Sequence, residues 1–583
     1  MKKLELLKQA RGIKKAEKVF KNAAVVDVFN ERLIDCDVAV SEGIIIGIGE
    51  YQGKEEIDLS NRIISPAFID AHLHIESSMS NVDEFAREVI PRGTTTIVAD
   101  PHEIANVAGI TGIKYLLAAG RAQPWNFNLM LPSCVPASSF EHSGAKLSAA
   151  DLKPLLTEKG IFGLGEVMDY PSVINGNQEI WDKIKMADNI FKDGHAPGLS
   201  GPDLNAYLLA GIAADHEVTT AEEALEKVSK GMYIMIREGS VTRDLAALLP
   251  AVNSSNCSRF CFATDDRHPG DLIEEGHIDF VVRKAVQCGL SPLRAIRMAS
   301  LNSAQILGID NLGAVAPNYR ADLLIIDNLR DLNIKAVYKD GKLAAENGTL
   351  LKSVDNQASA DITKIISSEI KTKIFNSIQL GKITENDFDL PPAKKYRVIE
   401  LLEDKIVTAA SIYETEDNYP GEPPEIELIG HNLVKLAVVD RYKSEPQVGI
   451  GLLRNFGLRR GAIATSIGHD AHNIITAGLS SEDMYLAVKE IEKMQGGIVI
   501  VVDGVVEQKL QLRVAGLMAE KPLNEVAAQL LKMREKANSL GVNREGPFMT
   551  LSFMALTVIP ELKLTEEGLF DVDQFKKVDL IIC

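Results

Sequence analysis

The chain has 583 residues, 46% of them hydrophobic and 25% charged, with a formal net charge of −18 at pH 7. That length predicts about two to four domains, allowing for a barrel that runs long as one unit, and the composition is that of a globular protein with a sizeable core. The acidic balance argues against a nucleic-acid or anionic-membrane surface.

Residues 1–20, MKKLELLKQARGIKKAEKVF, are basic and amphipathic. They predict a helix that packs on the body or on a partner subunit. The uninterrupted apolar core and small-residue cleavage site of a signal peptide are missing, and no apolar run approaches the ~20 residues of a membrane span. Six scattered cysteines make no disulfide framework. Cys257 and Cys261 have no second pair to complete a zinc site and read as structural. Sparse cysteine fits a reducing compartment, so the expected location is cytoplasmic.

Short strands punctuated by glycines follow at 23–28, 37–41 and 43–49. A matching β-rich piece recurs from Gly313 to Lys342, which predicts one small β-domain built from both flanks of a central domain. Between them, residues 63–76 read Ile-Ile-Ser-Pro-Ala-Phe-Ile-Asp-Ala-His-Leu-His-Ile-Glu. Alternation along a strand puts His72 and His74 on one face. Two imidazoles side by side at a strand end suit a metal ion.

Further apolar strands are predicted at 94–99, 128–131, 161–166, 189–195, 212–216, 233–237 and 260–264, alternating with helical segments. Eight such strands predict a closed parallel (β/α)8 barrel whose chemistry sits at the carboxyl ends of the strands. Those ends carry Asp100, His102 and Glu103; Glu166; His195; Asp215-His216-Glu217; and Asp265-Asp266. Seven of the eleven histidines lie between 72 and 268, and five of those fall at predicted strand ends. Solvated loops would scatter them, so the group reads as a metal centre.

Residues 353–392 are polar and irregular, a predicted linker. From 393 onward, strands at 396–402, 433–439, 448–453, 474–477 and 497–502, with helices at 482–494 and 523–540, predict an α+β domain. The domains expected are thus 1–62 (helix and first part of the β-domain), 63–312 (barrel), 313–352 (second part of the β-domain), 353–392 (linker) and 393–583. The densest polar cluster of the last domain is His469-Asp470-Ala471-His472. It reads first as a loop fixing its own turn; a cover over the barrel mouth, or a further ion site, is the alternative. No G-x-x-x-x-G-K-[ST] phosphate loop is present. His74-Ile-Glu76 matches half of the cytidine-type zinc motif, but no P-C-x-x-C completes it.

The pattern HxH, bridging acid, His, His and Asp on successive strand ends resembles the amidohydrolase superfamily. So does Ala295-Ile-Arg-Met-Ala-Ser-Leu-Asn-Ser-Ala-Gln-Ile-Leu-Gly308. Glu166 stands where many members carry a carboxylated lysine, and Pro317-Asn318 replaces the usual Pro-Gly. Within that superfamily the chain is similar to the bacterial adenine deaminase family, through Ala99-Asp-Pro-His-Glu-Ile-Ala-Asn-Val107, Gly163-Leu-Gly-Glu-Val-Met168, Phe262-Ala-Thr-Asp-Asp-Arg267 and Ser466-Ile-Gly-His-Asp-Ala-His-Asn473.

The resemblance implies hydrolysis of adenine to hypoxanthine and ammonia, and a divalent metal centre, manganese or iron ahead of zinc, in a homo-oligomer. A dinuclear reading places His72, His74 and Asp265 on one ion, His195 and His216 on the other, and Glu166 between them. Asp265 is the expected proton carrier, with Glu166 and His216 also at the reacting centre. Asp100, His102, Glu238 and Ser240 are candidates to read the purine ring, although Glu238 reads equally as an ion-pair partner. Another amidohydrolase activity, on an amide or N-acetyl group, and a non-catalytic barrel relative are the competing readings.

Overall fold

The structure is a computed structural model that describes residues 2–138, 140–358, 362–403, 405, 407–416 and 422–582. At its centre β1 (Phe68–His74), β2 (Thr94–Ala99), β3 (Asn126–Pro132), β4 (Ile161–Val167), β5 (Phe191–Gly194), β6 (Ala214–Asp215), β7 (Tyr233–Arg237) and β8 (Phe260–Ala263) pair parallel in chain order. Beyond Thr264 the chain of β8 pairs again: Asp265 lies opposite Leu73 and Asp266 opposite His74, so the ring closes. This is the α/β barrel that the strand alternation predicts.

Parallel strands buried on both faces read as apolar runs, and alternation still sorts their side chains. Ile69, Ala71, Val98, Met130, Ala214, Met235, Cys261 and Ala263 form one buried cluster, completed by Ala304, Ile306 and Leu307. The alternate residues Ile97, Leu129, Leu131, Ile234, Ile236, Phe260 and Phe262 join the large core with the surrounding helices. Cys257 and Cys261 are both buried and unpaired.

The apolar run at 63–76 is two strands in two sheets. Ile63–Pro66 pairs antiparallel with Leu323–Ile326, Leu324 opposite Ser65, inside a flanking sheet whose other strands come from 16–58 and 334–350. At Ala67 the chain leaves that sheet: Ala67 N–H donates to Asp322 O, and Phe68 N–H donates to Gly93 O in front of β2. The helix Lys2–Ala10 packs on the same sheet, Leu6 and Ala10 lying against Ala16 and Val19, and Tyr51 Oη donates to Ala10 O at 2.7 Å.

Residues 362–391 are anchored at both ends. The helix Ser368–Phe375 sets Phe375 edge-on to Tyr115 of the barrel helix Ile110–Arg121. Phe388 is buried with Met484, Val488 and Ile491. The C-terminal sheet runs in the order Thr408–Glu414, Lys395–Leu401, Val448–Arg454, Leu433–Val439, Ile474–Gly478, Ala462–Thr465, Gly497–Val502, Val505–Gln511.

Three of these strands are not predicted from the sequence. Thr408–Glu414 and Val505–Gln511 are edges with many exposed residues, where packing adds little to the pattern. Ala462–Thr465 is short and alanine-rich. Among the described residues no helix is long and apolar enough to cross a membrane.

Candidate metal centre

Two one-residue bulges aim the central donors. Between β1 and β2 the register runs Asp70 opposite Ile97 and then Leu73 opposite Ala99, so β1 carries one extra residue. Ile69 and Ala71 lie in the barrel filling. The extra residue brings His72 and His74 to the mouth, instead of leaving 73 on the inward face. Between β4 and β5 the same slip occurs, Lys192 opposite Leu164 and Gly194 opposite Val167, and the extra residue falls at Gly165-Glu166. Bulges next to active sites commonly re-aim side chains in this way. A Cβ at Gly165 would fall 1.7 Å from Asp100 Oδ2, so a larger residue there would displace that carboxylate.

Glu166 lies among imidazoles, and its two oxygens face two sets of donors. Oε1 is 2.8 Å from His74 Nε2, 3.1 Å from His72 Nε2 and 3.6 Å from His102 Nδ1. Oε2 is 2.9 Å from His195 Nδ1 and 3.8 Å from His216 Nε2. Asp265 Oδ1 joins the first set, 3.4 Å from His74 Nε2 and 3.8 Å from His72 Nε2. All six metal ligands expected from the sequence therefore lie around one point. His72 and His216 stack, with ring centroids 3.9 Å apart. Only His195 of the six is not fully buried, its side chain being 27% exposed.

Two supporting residues were not predicted from the sequence. Asp193 Oδ2 sits 2.9 Å from His72 Nδ1 and 3.4 Å from His216 Nδ1, behind both rings. A carboxylate in that place fixes the orientation of a ligating imidazole. The signal available was its spacing, two residues before His195 on β5. Arg237, the last residue of β7, donates to Asp265 Oδ2 at 3.3 Å and pairs with Glu217.

Asp265 itself has φ +55°, which interrupts strand alternation. Asp266 consequently does not point away: its carboxylate stays near His74 and Asp265 and accepts from Ser77 Oγ. A continuing strand would set these two aspartates on opposite faces; the break at Asp265 keeps them together.

The four candidate ring readers divide. Asp100 Oδ1 accepts from His102 N–H at 3.0 Å, and both residues border Glu166. Glu238 is turned away, fully buried, pairing with Lys284 and accepting from Leu245 N–H at 3.3 Å. Ser240 Oγ is used by the N–H of His268.

The 469–472 loop does not merely fix its own turn. His469 Nδ1 is 2.9 Å from Glu103 Oε1, and His472 Nε2 meets Glu103 Oε2. The C-terminal domain thus reaches the helix His102–Ala108 that follows β2.

Electrostatics favour cations at this centre. Burial alone would lower the His72 pKa, yet Asp193 and Glu166 raise it to about 10. His74 and His102 are likewise raised well above the usual imidazole range by Glu166, against burial. Asp193, which burial would raise, is held at about 2 by His216 and His72. Burial would also raise Asp265, but the bond from His74 and the charge of Arg237 hold it far below the ordinary carboxylate range.

The donors suit metal as well as protons. Glu166 Oε1, Asp100 Oδ2 and His102 Nδ1 are buried without an aligned protein hydrogen bond, although imidazole nitrogens stand close to Oε1. Lone pairs that converge without lining up with N–H groups make a ligand set. Imidazole and carboxylate without thiolate suit divalent manganese, iron or zinc, and metal binding there would displace the protons.

Comparison with known proteins agrees with this geometry. The model of the amidohydrolase family matches residues 63–344, and that of the adenine deaminase C-terminal domain matches 412–576. The chain is 53% identical over 578 residues to the adenine deaminase of Petrotoga mobilis, covering 99% of each chain. It is 45% identical over 577 residues to that of Clostridium acetobutylicum, covering 98% of this chain and 99% of the relative. The corresponding protein of Geobacillus kaustophilus is 43% identical over 567 residues, with 96% of each covered. A buried His/Asp/Glu centre in the barrel and full-length identity at this level place the chain in the adenine deaminase family of the amidohydrolase superfamily.

Proposed function

We infer that this chain deaminates adenine hydrolytically: water adds at C6, the exocyclic amine leaves as ammonia, and hypoxanthine is formed. The observation that carries the reading is the 53% identity with an adenine deaminase over 99% of both chains. The arrangement around Glu166 supports a dinuclear centre. His72, His74 and Asp265 would hold one divalent ion and His195 and His216 the other, with one oxygen of Glu166 toward each set. Manganese or iron is our assignment, ahead of zinc. The chemistry such ions supply is a water acidified to a pKa of about 7, hence a nucleophile at neutral pH.

The chain's own part is proton handling. Asp265 Oδ2 is held by Arg237 and Thr242, which leaves Oδ1 toward the imidazoles and the reacting water. A base must be ionised to act, and Arg237 keeps this carboxylate ionised. Asp265 takes the proton of the attacking water and returns it to the departing amine. His216 and His72, stacked on one another and both held by Asp193, are fixed in orientation.

The test is turnover of adenine by protein loaded with Mn2+, with ammonia and hypoxanthine both measured and an N-acetyl amino sugar run beside it. Stoichiometric hypoxanthine from adenine is expected. Protein with two bound ions that leaves adenine untouched while releasing acetate from the sugar would replace this reading with an N-acetyl hydrolase.

A further inference from the structure

The junction between the barrel and the C-terminal domain lies behind the metal centre and takes no part in the proton handling above. Glu103, 3% exposed, is its middle. On one side stand His469 and His472, each on its own oxygen of Glu103. Both imidazoles are buried, and Phe553 stacks on His469 with ring centroids 5.3 Å apart. On the other side His102 Nε2 is 3.4 Å from Glu103 Oε1. The opposite nitrogen of that ring, Nδ1, is 3.6 Å from Glu166 Oε1 and 3.4 Å from Asp100 Oδ1, buried and without an aligned hydrogen bond. The His102 ring also lies edge-on to His74, with centroids 4.7 Å apart. An unbroken chain of buried polar side chains therefore runs from the 469–472 loop to the donor set.

We propose that the 469–472 loop is a positioning element of the metal centre: it clamps Glu103, Glu103 holds the Nε2 side of His102, and His102 thereby presents Nδ1 to the centre as a further imidazole donor. This rests on the metal reading given above. The carboxylate–imidazole pair has the form that outer carboxylates take behind ligating histidines, where their loss costs about 10- to 100-fold in metal affinity. Asp193 stands in the same relation to His72 and His216, with the difference that the support of Glu103 comes from another domain. The C-terminal domain is then part of the centre rather than a neighbour of it.

The experiment measures Mn2+ affinity of the full chain by competition with a chelator, with thermal midpoint and adenine turnover recorded on the same preparations. Glu103→Gln, and His469→Ala combined with His472→Ala, are each expected to weaken Mn2+ binding about 10- to 100-fold. His102→Gln should do the same, and adding Glu103→Gln to it should cost nothing more, because residues in one network are not additive. His469→Asn with His472→Gln returns an N–H donor near each lost nitrogen and should recover most of the affinity.

Wild-type Mn2+ affinity in Glu103→Gln, whatever its thermal midpoint, overturns the proposal and leaves the loop as a domain contact. Losses that add between Glu103→Gln and His102→Gln overturn it too. If the double alanine variant does not fold, Glu103→Gln decides alone, since it removes charge and keeps bulk. The readout does not depend on the substrate, so a protein that binds Mn2+ but spares adenine defeats the functional reading separately.

Discussion

Glu166 and Glu103 are both buried carboxylates ringed by imidazoles, and they differ in how nitrogen meets oxygen. At Glu103 each oxygen has its own imidazole from the C-terminal loop, His469 on one and His472 on the other. The two rings respond oppositely: Glu103 carries His469 to about 9 against burial, while burial carries His472 to about 4. Both oxygens of Glu103 are engaged across the junction, while the far nitrogens, His469 Nε2 and His472 Nδ1, are buried without a hydrogen-bond partner among the described residues. At Glu166, Oε1 has two imidazole nitrogens within 3.1 Å and accepts an aligned bond from neither. Similar residue types thus make a fastening in one place and a ligand set in the other. The number of imidazoles close to one oxygen, not composition, tells them apart: two stand within 3.1 Å of Glu166 Oε1, against one from the C-terminal loop on each oxygen of Glu103.

The largest effect expected from breaking that contrast is at Glu166. Glu166→Gln keeps size and removes charge, so it should leave at most one tightly bound ion per chain and abolish measurable turnover. His72→Ala or His74→Ala should likewise lose metal and activity with the fold intact. Metal analysis of protein purified without chelator reads both. Two ions held at wild-type affinity by Glu166→Gln would show that it does not bridge.

Next comes Asp265, which touches the ligand set through one oxygen and Arg237 through the other. General acid–base help is typically worth ~10²–10⁴-fold, and Asp265→Asn should lower turnover by about that factor, with a smaller change in KM. Asp266→Asn should be milder, since that carboxylate bonds Ser77, but not neutral, because it stays near His74. Steady-state kinetics of both variants at matched metal content separates them. An Asp266→Asn variant weaker than Asp265→Asn would exchange their roles.

The centre was legible because its donors are local features. An HxH at a strand end and single acids or histidines at later strand ends are visible in order, and the barrel brings them together. What stayed hidden is geometry that a period of two does not carry. The bulges at 70–73 and 165–166, and the φ of +55° at Asp265, re-aim side chains against the alternation. Alternation continued through that break would turn Asp266 away from Asp265, whereas the two stay together. The Glu103 junction was hidden for another reason: Glu103 and His472 are 369 residues apart, and neither segment signals its partner. Asp193 lay between these cases, close in sequence to His195 yet acting behind His72 and His216 from two other strands.

Asp193 gives the intermediate prediction. It is the outer carboxylate of the barrel's own half, as Glu103 is of the junction. Asp193→Asn should weaken metal binding about 10- to 100-fold without removing a ligand, as such changes do elsewhere. Chelator competition checks it. An unchanged affinity would mean that stacking alone orients His72 and His216.

The smallest effect is expected at Glu238, the carboxylate that belongs to neither set. It was a candidate for the purine ring, but its oxygens go to Lys284 and to the N–H of Leu245. Glu238→Gln can keep the Leu245 bond through its amide oxygen and loses only the ion pair. Lys284 is 26% exposed and can turn to water, so the loss should not exceed the ~1.5–3 kcal/mol of a hydrogen bond to a charged group. The thermal midpoint should fall slightly while kcat/KM for adenine stays near wild type. A large loss of kcat/KM with metal content and midpoint unchanged would return Glu238 to the substrate site. It would also mean that the side chain swings away from Lys284 when adenine binds.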